Sequence, residues 1–338
     1  MKPILATDQF SINGVPSDID AMGKAFPQGW YQLTKGMEVN IMARLAWPVY
    51  SKYYGPYHFF QAVPDDGNWF YQDWLVYAEA CARLLVLVMG GQMGGSDPMV
   101  DVEGGSLIPD SLLPKLFPNM TLAQQRAAGY ALLLRELKCF CDTFEALTGK
   151  LLVIYTGKAF WEMIGGASAT WAARHKLCVA VYPYDDYADP AEYLAAIEGV
   201  MAGTKPLPGI EIPAPWTRAD YIQITGRLPV TLIPGYAKEP NWAKTADMSI
   251  VVNNAPIPAP ASPSGAQPAF TSYLPIAGYN PNVHAEPNGL HPAIGLLPPD
   301  TVVEIDNNLV GAYGHFQPTQ QFKAGGWVYM PYMQKKGN

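Results

Sequence analysis

Charge is scarce in this 338-residue chain. Asp, Glu, Lys and Arg make up 15% of it, and 29 acids against 22 bases leave a formal net charge of −7. With no dense Lys/Arg run to meet a phosphate backbone, no nucleic-acid partner is expected. Long apolar runs are missing too. The most apolar, Leu84–Met89, is far too short to span a bilayer, so no membrane insertion is expected. The four cysteines, Cys81, Cys139, Cys141 and Cys178, include no Cys-x-x-Cys pair. Cys139 and Cys141 stand two apart, and on a helix such neighbours do not face each other. All four are read as reduced and mostly buried, with no metal site and no cofactor. What is plentiful is apolar surface. At 49% hydrophobic the chain buries a sizeable core and is not a disordered polymer. Its length suits one large α/β domain with a small second one. The aromatics (9 Trp, 20 Tyr, 12 Phe) fit sugar stacking and a core equally well.

One stretch organises the rest: Pro98-Met99-Val100-Asp101-Val102-Glu103-Gly104-Gly105. As a strand, its period of two puts Asp101 and Glu103 on one face and Val100 and Val102 on the other. The glycine pair ends the strand, so both acids sit at its C-terminal tip, where α/β sheets and barrels carry their chemistry. Two neighbouring carboxylates repel, so one tends to keep its proton while the other stays ionised. Glycoside hydrolysis asks for that division of labour. A metal site, or strand-end acids capping loop amides, would use the same residues.

The remaining segments alternate. Strands are expected at 4–10, 30–35, 54–60, 151–155, 177–182, 220–225 and 247–252. Helical segments are expected within 15–25, 38–52, 68–89, 121–147 and 157–164. Thr121 with Gln124 makes a capping box and Gly149 closes the C-terminus, so 121–147 is the clearest helix. Eight strands with helices between most of them point to a (β/α) barrel with some crossovers reduced to loops.

Several of these segments, in order, resemble the glycoside hydrolase family 25 lysozymes, N-acetylmuramidases on an irregular β/α barrel. An early strand ends at Asp8. Leu33-Thr34-Lys35-Gly36, Gly55-Pro56-Tyr57-His58-Phe59 and Val100-Asp101-Val102-Glu103 are similar to successive family motifs. So are Leu151–Trp161, Tyr221-Ile222-Gln223 and Ala246-Asp247-Met248-Ser249. The resemblance implies Glu103 as general acid and then base. It implies Asp101 as the group that steadies the transition state or orients the substrate's acetamido nucleophile, an acknowledged variant of the two-carboxylate scheme. Asp8 and Asp247 would complete an acidic cluster that raises the Glu103 pKa. Tyr57, Gln223, Lys35 and Tyr182 are the expected substrate-binding residues, with Lys35 read as an ion-pair partner of the acids ahead of any direct catalysis. His58, on an apolar aromatic strand, is read as a core histidine.

The chain also departs from the family pattern. Ile222 stands where Trp is usual, Cys178 and Val181 replace the Trp and Gln of the sixth strand, and Ser249 replaces Asn. Lost aromatic platforms leave the glycan specificity open. After Val252 the composition shifts to a Pro/Ala/Ser linker, 253–272, semi-stiff and extended. Residues 273–338 read as short strands and resemble a bacterial SH3-like domain, with His284 in place of the Arg of Asn-Val-Arg.

The expected architecture is therefore an irregular (β/α)8-type barrel at 1–252, the linker, and a small all-β SH3-like barrel. The expected activity is cleavage of the β-1,4 bond between N-acetylmuramic acid and N-acetylglucosamine, with bacterial peptidoglycan as partner and a monomer as the working state. The N-terminal decapeptide has no apolar h-region and reaches Asp8 early. The expectation is synthesis in the cytoplasm without a signal peptide and phage-type release to the wall. Two alternatives stay open: a catalytically weak wall-binding or virion-associated protein on the same fold, and a glycosidase for another amino-sugar polymer.

Overall fold

A computed structural model of the chain describes residues 3–9, 18–63, 74–205, 209–235, 245–252, 270–275, 282–284, 295–298, 301–306, 313–316, 319, 321–322, 326–329 and 333–335. Two compact units divide it, residues 1–259 and 260–338.

The first unit is built on strands β1 (Ile4–Gln9), β2 (Gln28–Lys35), β3 (Glu38–Val39), β4 (Gly55–Phe59), β5 (Met99–Asp101), β6 (Val153–Gly157), β7 (Lys176–Ala180), β8 (Tyr221–Pro229) and β9 (Thr245–Val251). Their order is β1-β9-β8-β7-β6-β5-β4-β2, with β3 appended to β2, and pairing of β1 with β2 closes the ring into an eight-stranded barrel. Five of its strand pairs from β2 to β8 and the closing β1–β2 pair bring parallel neighbours together, whereas β9 runs antiparallel to both β8 and β1. That reversal matters for function. It brings the start of β9, not its end, to the rim where the other strands finish, and sets Asp247 in register with Asp8.

Helices wrap the outside: α1 (Ile19–Ala25), α2 (Ile41–Tyr50), α3 (Trp74–Met89), the single turn α4 (Leu113–Leu116), α5 (Leu122–Thr148), α6 (Lys158–Met163) and α7 (Pro190–Ala202). The capping box expected for α5 is present, and Gly149 ends the helix at φ 68°, a left-handed conformation that glycine adopts without steric penalty. Leu133, Leu137, Phe140 and Phe144 of α5 are buried in the layer between helices and barrel, and α5 packs on α3. His58 lies in this layer as expected. It is fully buried, shares a 2.7 Å hydrogen bond through Nδ1 with Thr34 Oγ1, stacks on Phe140 at 4.6 Å, and burial lowers its pKa to about 3. A smaller core fills the barrel interior with Ala6, Trp30, Tyr57, Met99, Val153, Tyr155, Cys178, Tyr221 and Val251. The four cysteines are free thiols, three of them buried. Among the described residues no cluster of His, Cys, Asp and Glu could hold a metal, and no helix is long and apolar enough to cross a membrane.

Several boundaries move from their expected places. Helix α2 starts at Ile41, where Asn40 caps it through a 3.0 Å bond to Ala43 N, because 38–39 is already paired as β3. The sixth strand of the sequence reading, 177–182, stops at Ala180 as β7, because Tyr182 adopts φ 49° and leaves the extended region. Helix α7 lies in a stretch that the sequence reading leaves unassigned. Its signals were ordinary ones: Asp189 caps Ala191 N at 2.8 Å, Pro190 stands in the first turn, and Gly203 closes it at φ 74°. Residues 10, 15–17 and 68–73 of the expected segments, and the linker at 253–269, lie outside the described residues.

The second unit is all-β. Its strands are β10 (Phe270–Pro275), β11 (Asn282–His284), β12 (Gly295–Leu296), β13 (Val303–Asp306), β14 (Tyr313–Phe316), β15 (Gly326–Tyr329) and β16 (Met333–Lys335). They form one antiparallel sheet in the order β12-β11-β15-β14-β13-β10-β16, around Val283, Leu297, Val303, Ile305, Phe316, Phe322, Val328 and Met333.

Candidate active site

The site grows out of the pleat of β5. Val100 and Val102 point into the helix–barrel layer, while Met99 turns into the barrel interior. By the same alternation Asp101 belongs to the interior face one step nearer the rim, where it is 4% exposed. The strand ends there. Glu103 is still extended (φ −143°, ψ −165°), but it already starts a 3₁₀ turn at 104–106. Ser106 fixes that turn, accepting from Glu103 N at 3.1 Å through its hydroxyl and donating its own N–H to Glu103 O at 2.8 Å. A Cβ at Gly105 would stand 2.8 Å from the Phe59 ring, so a larger residue there would have to displace that ring. Glu103 is thus a half-buried carboxyl on a braced turn. Burial raises its pKa above the ordinary glutamate range.

Neighbouring strands supply the frame. Tyr57, on β4 and 2% exposed, donates its hydroxyl to Asp101 Oδ2 in a short hydrogen bond. Across β6 and β8, Tyr155 OH and Tyr182 OH share a hydrogen bond, and Tyr182 OH donates to Gln223 Oε1 at 3.0 Å. Tyr182 is the hub of the rim. Burial raises its phenol pKa most, the hydrogen bond with Tyr155 opposes this, and the charges of Asp247, Glu103 and Asp101 raise it further. Asp247, brought to the rim by the reversed β9, has its pKa raised to about 7. Burial is the main cause, the Gln223 amide opposes it, and Glu103 and Asp185 add to it. Neighbouring carboxylates disfavour one another's charged forms, the direction in which Asp247 is shifted.

Of the residues expected at the site, Asp101, Glu103, Asp247, Tyr57, Tyr182 and Gln223 come together here. Asp8 is at the rim by backbone register, opposite Asp247 and beside Trp30; its side chain is outside the described part. Lys35 ends β2 and holds its ammonium 5.6 Å from the centre of the Phe59 ring, whose backbone is in register with Asp101. The sequence reading missed Tyr155 and Asp185. Tyr155 hid in a run read only as a doubly buried strand. Asp185 follows the end of β7 in Tyr182-Pro183-Tyr184-Asp185-Asp186, a pair of acids just past a barrel strand, and that placement was a usable signal.

No family model matches the chain, and no curated protein sequence matches it. Solved structures do. The spore cortex lytic enzyme SleM of Clostridium perfringens is similar over 99% of this chain and 97% of its own, at 15% identity and a TM-score of 0.49. A family 25 glycosyl hydrolase from Bacillus anthracis is similar over 75% of this chain and 90% of its own, at 15% identity and a TM-score of 0.47. The catalytic domain of endolysin ply40, from bacteriophage P40 of Listeria monocytogenes, covers 74% of this chain and 93% of its own at 15% identity, with a TM-score of 0.45. The fold described above rests on its own strand pairing, and the roles of residues have to come from the site itself.

Proposed function

We propose that the barrel is a peptidoglycan hydrolase that cuts the β-1,4 bond between N-acetylmuramic acid and N-acetylglucosamine. The observation that carries this reading is the pairing of two differently treated carboxyls at the barrel rim. Glu103 is half-buried with its pKa raised, and Asp101 is fixed by the Tyr57 hydroxyl. Glu103 is the general acid that protonates the leaving glycosidic oxygen, and then the base that activates water. Asp101, oriented by Tyr57, steadies the developing positive charge or aligns the substrate's acetamido group for attack. Gln223 and Tyr182 form the wall against which that group is held, and Asp247 keeps a proton in the cluster. Lys35 and Asp8 complete the rim. The second unit, an all-β sheet after a Pro/Ala/Ser-rich segment, is read as an SH3-like module that holds the enzyme on wall peptide and raises the local substrate concentration.

The test is turbidity loss of purified cell walls, wild type against Glu103→Gln, with mass spectrometry of the released fragments. Muramic-acid reducing ends from wild type alone support the reading. Glucosamine reducing ends would move the cut to the other bond. Wall binding without release of sugar ends by either protein would leave the fold as a binding protein and end the enzyme assignment.

A further inference from the structure

Behind Asp247 lies a second acid that the scheme above does not use. Asp185, in the loop between β7 and α7, is tied to β8 at three points. Its Oδ1 accepts from Thr225 Oγ1 at 2.6 Å, its Oδ2 from Gly226 N at 3.3 Å, and its backbone carbonyl from Arg227 Nη1 at 2.7 Å. Thr225 has one hydroxyl proton and gives it to Asp185, so the 2.6 Å contact with Tyr193 OH is donated by the tyrosine. Arg227 N also donates to Thr225 Oγ1, at 2.9 Å. These bonds make Asp185 an acceptor on both oxygens and hold its carboxyl in one orientation. Gly226 lies against both acids. A Cβ there would sit 3.3 Å from Asp247 Oδ1 and 3.8 Å from Asp185 Oδ2, with the Tyr182 ring at 3.7 Å.

We propose that Asp185 is a positioning residue: a strapped negative charge that favours a proton on Asp247, beside the one the acid Glu103 carries, so that Asp247 serves the site as a hydrogen-bond donor. This rests on the reading of the rim as a catalytic site, and it adds a regulating charge to it. Among the charges that act on Asp247, Glu103 is the larger and Asp185 adds to it. Glu103 approaches from the β5 turn, Tyr182 from the same loop as Asp185, and Asp8 stands opposite in register on β1. Arg227, the cation on β8, gives its guanidinium to the Asp185 carbonyl and to the face of the Tyr193 ring, 5.2 Å away. The direction agrees with Asp247's raised pKa, to which Asp185 contributes.

The experiment is carbon-detected NMR titration of the Asp247 carboxyl in the full chain, wild type against Asp185→Asn, with the pH profile of wall lysis run beside it. The Asp247 midpoint is expected to fall by about one pH unit in the variant, with the alkaline limb of lysis moving down alongside. An unchanged midpoint in a folded Asp185→Asn protein overturns the inference. Thr225→Val and Thr225→Ser guard against a folding failure. Loss of the hydroxyl strap in the valine variant should lower the midpoint, and the serine variant should restore it; equal midpoints in both would equally overturn it. The titration needs no substrate. A shifted midpoint in a protein that cuts no wall would therefore sink the hydrolase reading and leave the electrostatic one standing.

Discussion

The two ends of the barrel hold the same kinds of residue and treat their charge in opposite ways. At the N-terminal end, Lys176 (side chain 9% exposed) forms a 2.7 Å ion pair with Asp97 (33% exposed), and Tyr221 OH adds a 3.4 Å bond to the same carboxylate oxygen. Lys176, Asp97 and Tyr221 line a cavity of about 390 Å³ there. At the C-terminal end, Glu103 and Asp247 are raised in pKa chiefly by burial, and the partners that hold Asp101 and Gln223 are tyrosine hydroxyls. One end neutralises charge and fastens the barrel. The other gathers carboxyls whose pKa values are raised, which opposes stability once they ionise. The difference separates an end where charge is paired from the end where the proposed chemistry sits.

The largest expected effect comes from removing the rim's acid. Glu103→Gln keeps shape and hydrogen-bonding capacity but loses the transferable proton, so the rate of wall cleavage should fall by roughly a thousandfold or more. The unfolding temperature should not fall, because Glu103 makes no ion pair among the described residues. A variant that keeps even a tenth of the wild-type rate would show that the rim's raised acid is incidental.

At the opposite end the comparison predicts an asymmetry in stability. Asp97→Ala strands the nearly buried Lys176 ammonium and should destabilise by about 3 kcal/mol. Lys176→Met leaves a carboxylate with access to water and should destabilise by about 1 kcal/mol. Chemical denaturation of both variants measures this directly, with activity at saturating wall largely retained. Equal losses would mean that the cavity hydrates the lysine as well as the acid.

The third effect has the opposite sign. Asp247 has a folded pKa of about 7, above the usual carboxylate value near 3.9. Between these two values the folded state binds more protons than the unfolded one, so this group's contribution to stability falls as pH rises through the window. Asp247→Asn removes the charge that opposes folding. At pH 8 it should stabilise the protein by on the order of 2 kcal/mol, and the gain should vanish below about pH 4, where both side chains are neutral. Melting curves across that range decide it. A destabilised variant at pH 8 would place Asp247 among paired acids like Asp97.

Much of this contrast was legible in the sequence, and the reasons are local. Alternation in Met99–Glu103 placed Val100 and Val102 outward and Asp101 at the rim, because a two-residue period survives whatever the rest of the fold does. The ends of α5 followed from Thr121, Gln124 and Gly149 for the same reason. The end of β7 did not follow, because nothing in Val181-Tyr182 announces a left-handed tyrosine. The antiparallel course of β9, which decides that Asp247 rather than Val251 reaches the rim, is a matter of topology, and a strand's residues do not encode the direction of its neighbours. Asp185 was missed because its role depends on Thr225, Gly226 and Arg227, forty residues and more away in sequence.

The smallest expected effect is also the sharpest probe of how the rim is organised. Tyr57 is buried beside Met99 in the barrel interior, and its only polar atom donates to Asp101. Tyr57→Phe keeps the ring, so packing should hold and unfolding should shift by less than about 1.5 kcal/mol. What changes is the orientation and the charge balance of Asp101. A carboxylate that has lost a fixed donor turns more freely and aligns the reacting group less often. Wall-cleavage rate should drop about tenfold, through kcat rather than through wall binding, since the bond matters only while charge develops. A loss confined to binding would make Tyr57 a contact for the sugar. A loss as deep as that of Glu103→Gln would mean that the hydroxyl itself delivers a proton, and the two-carboxylate account of the rim would then have to give way to one built on the tyrosines.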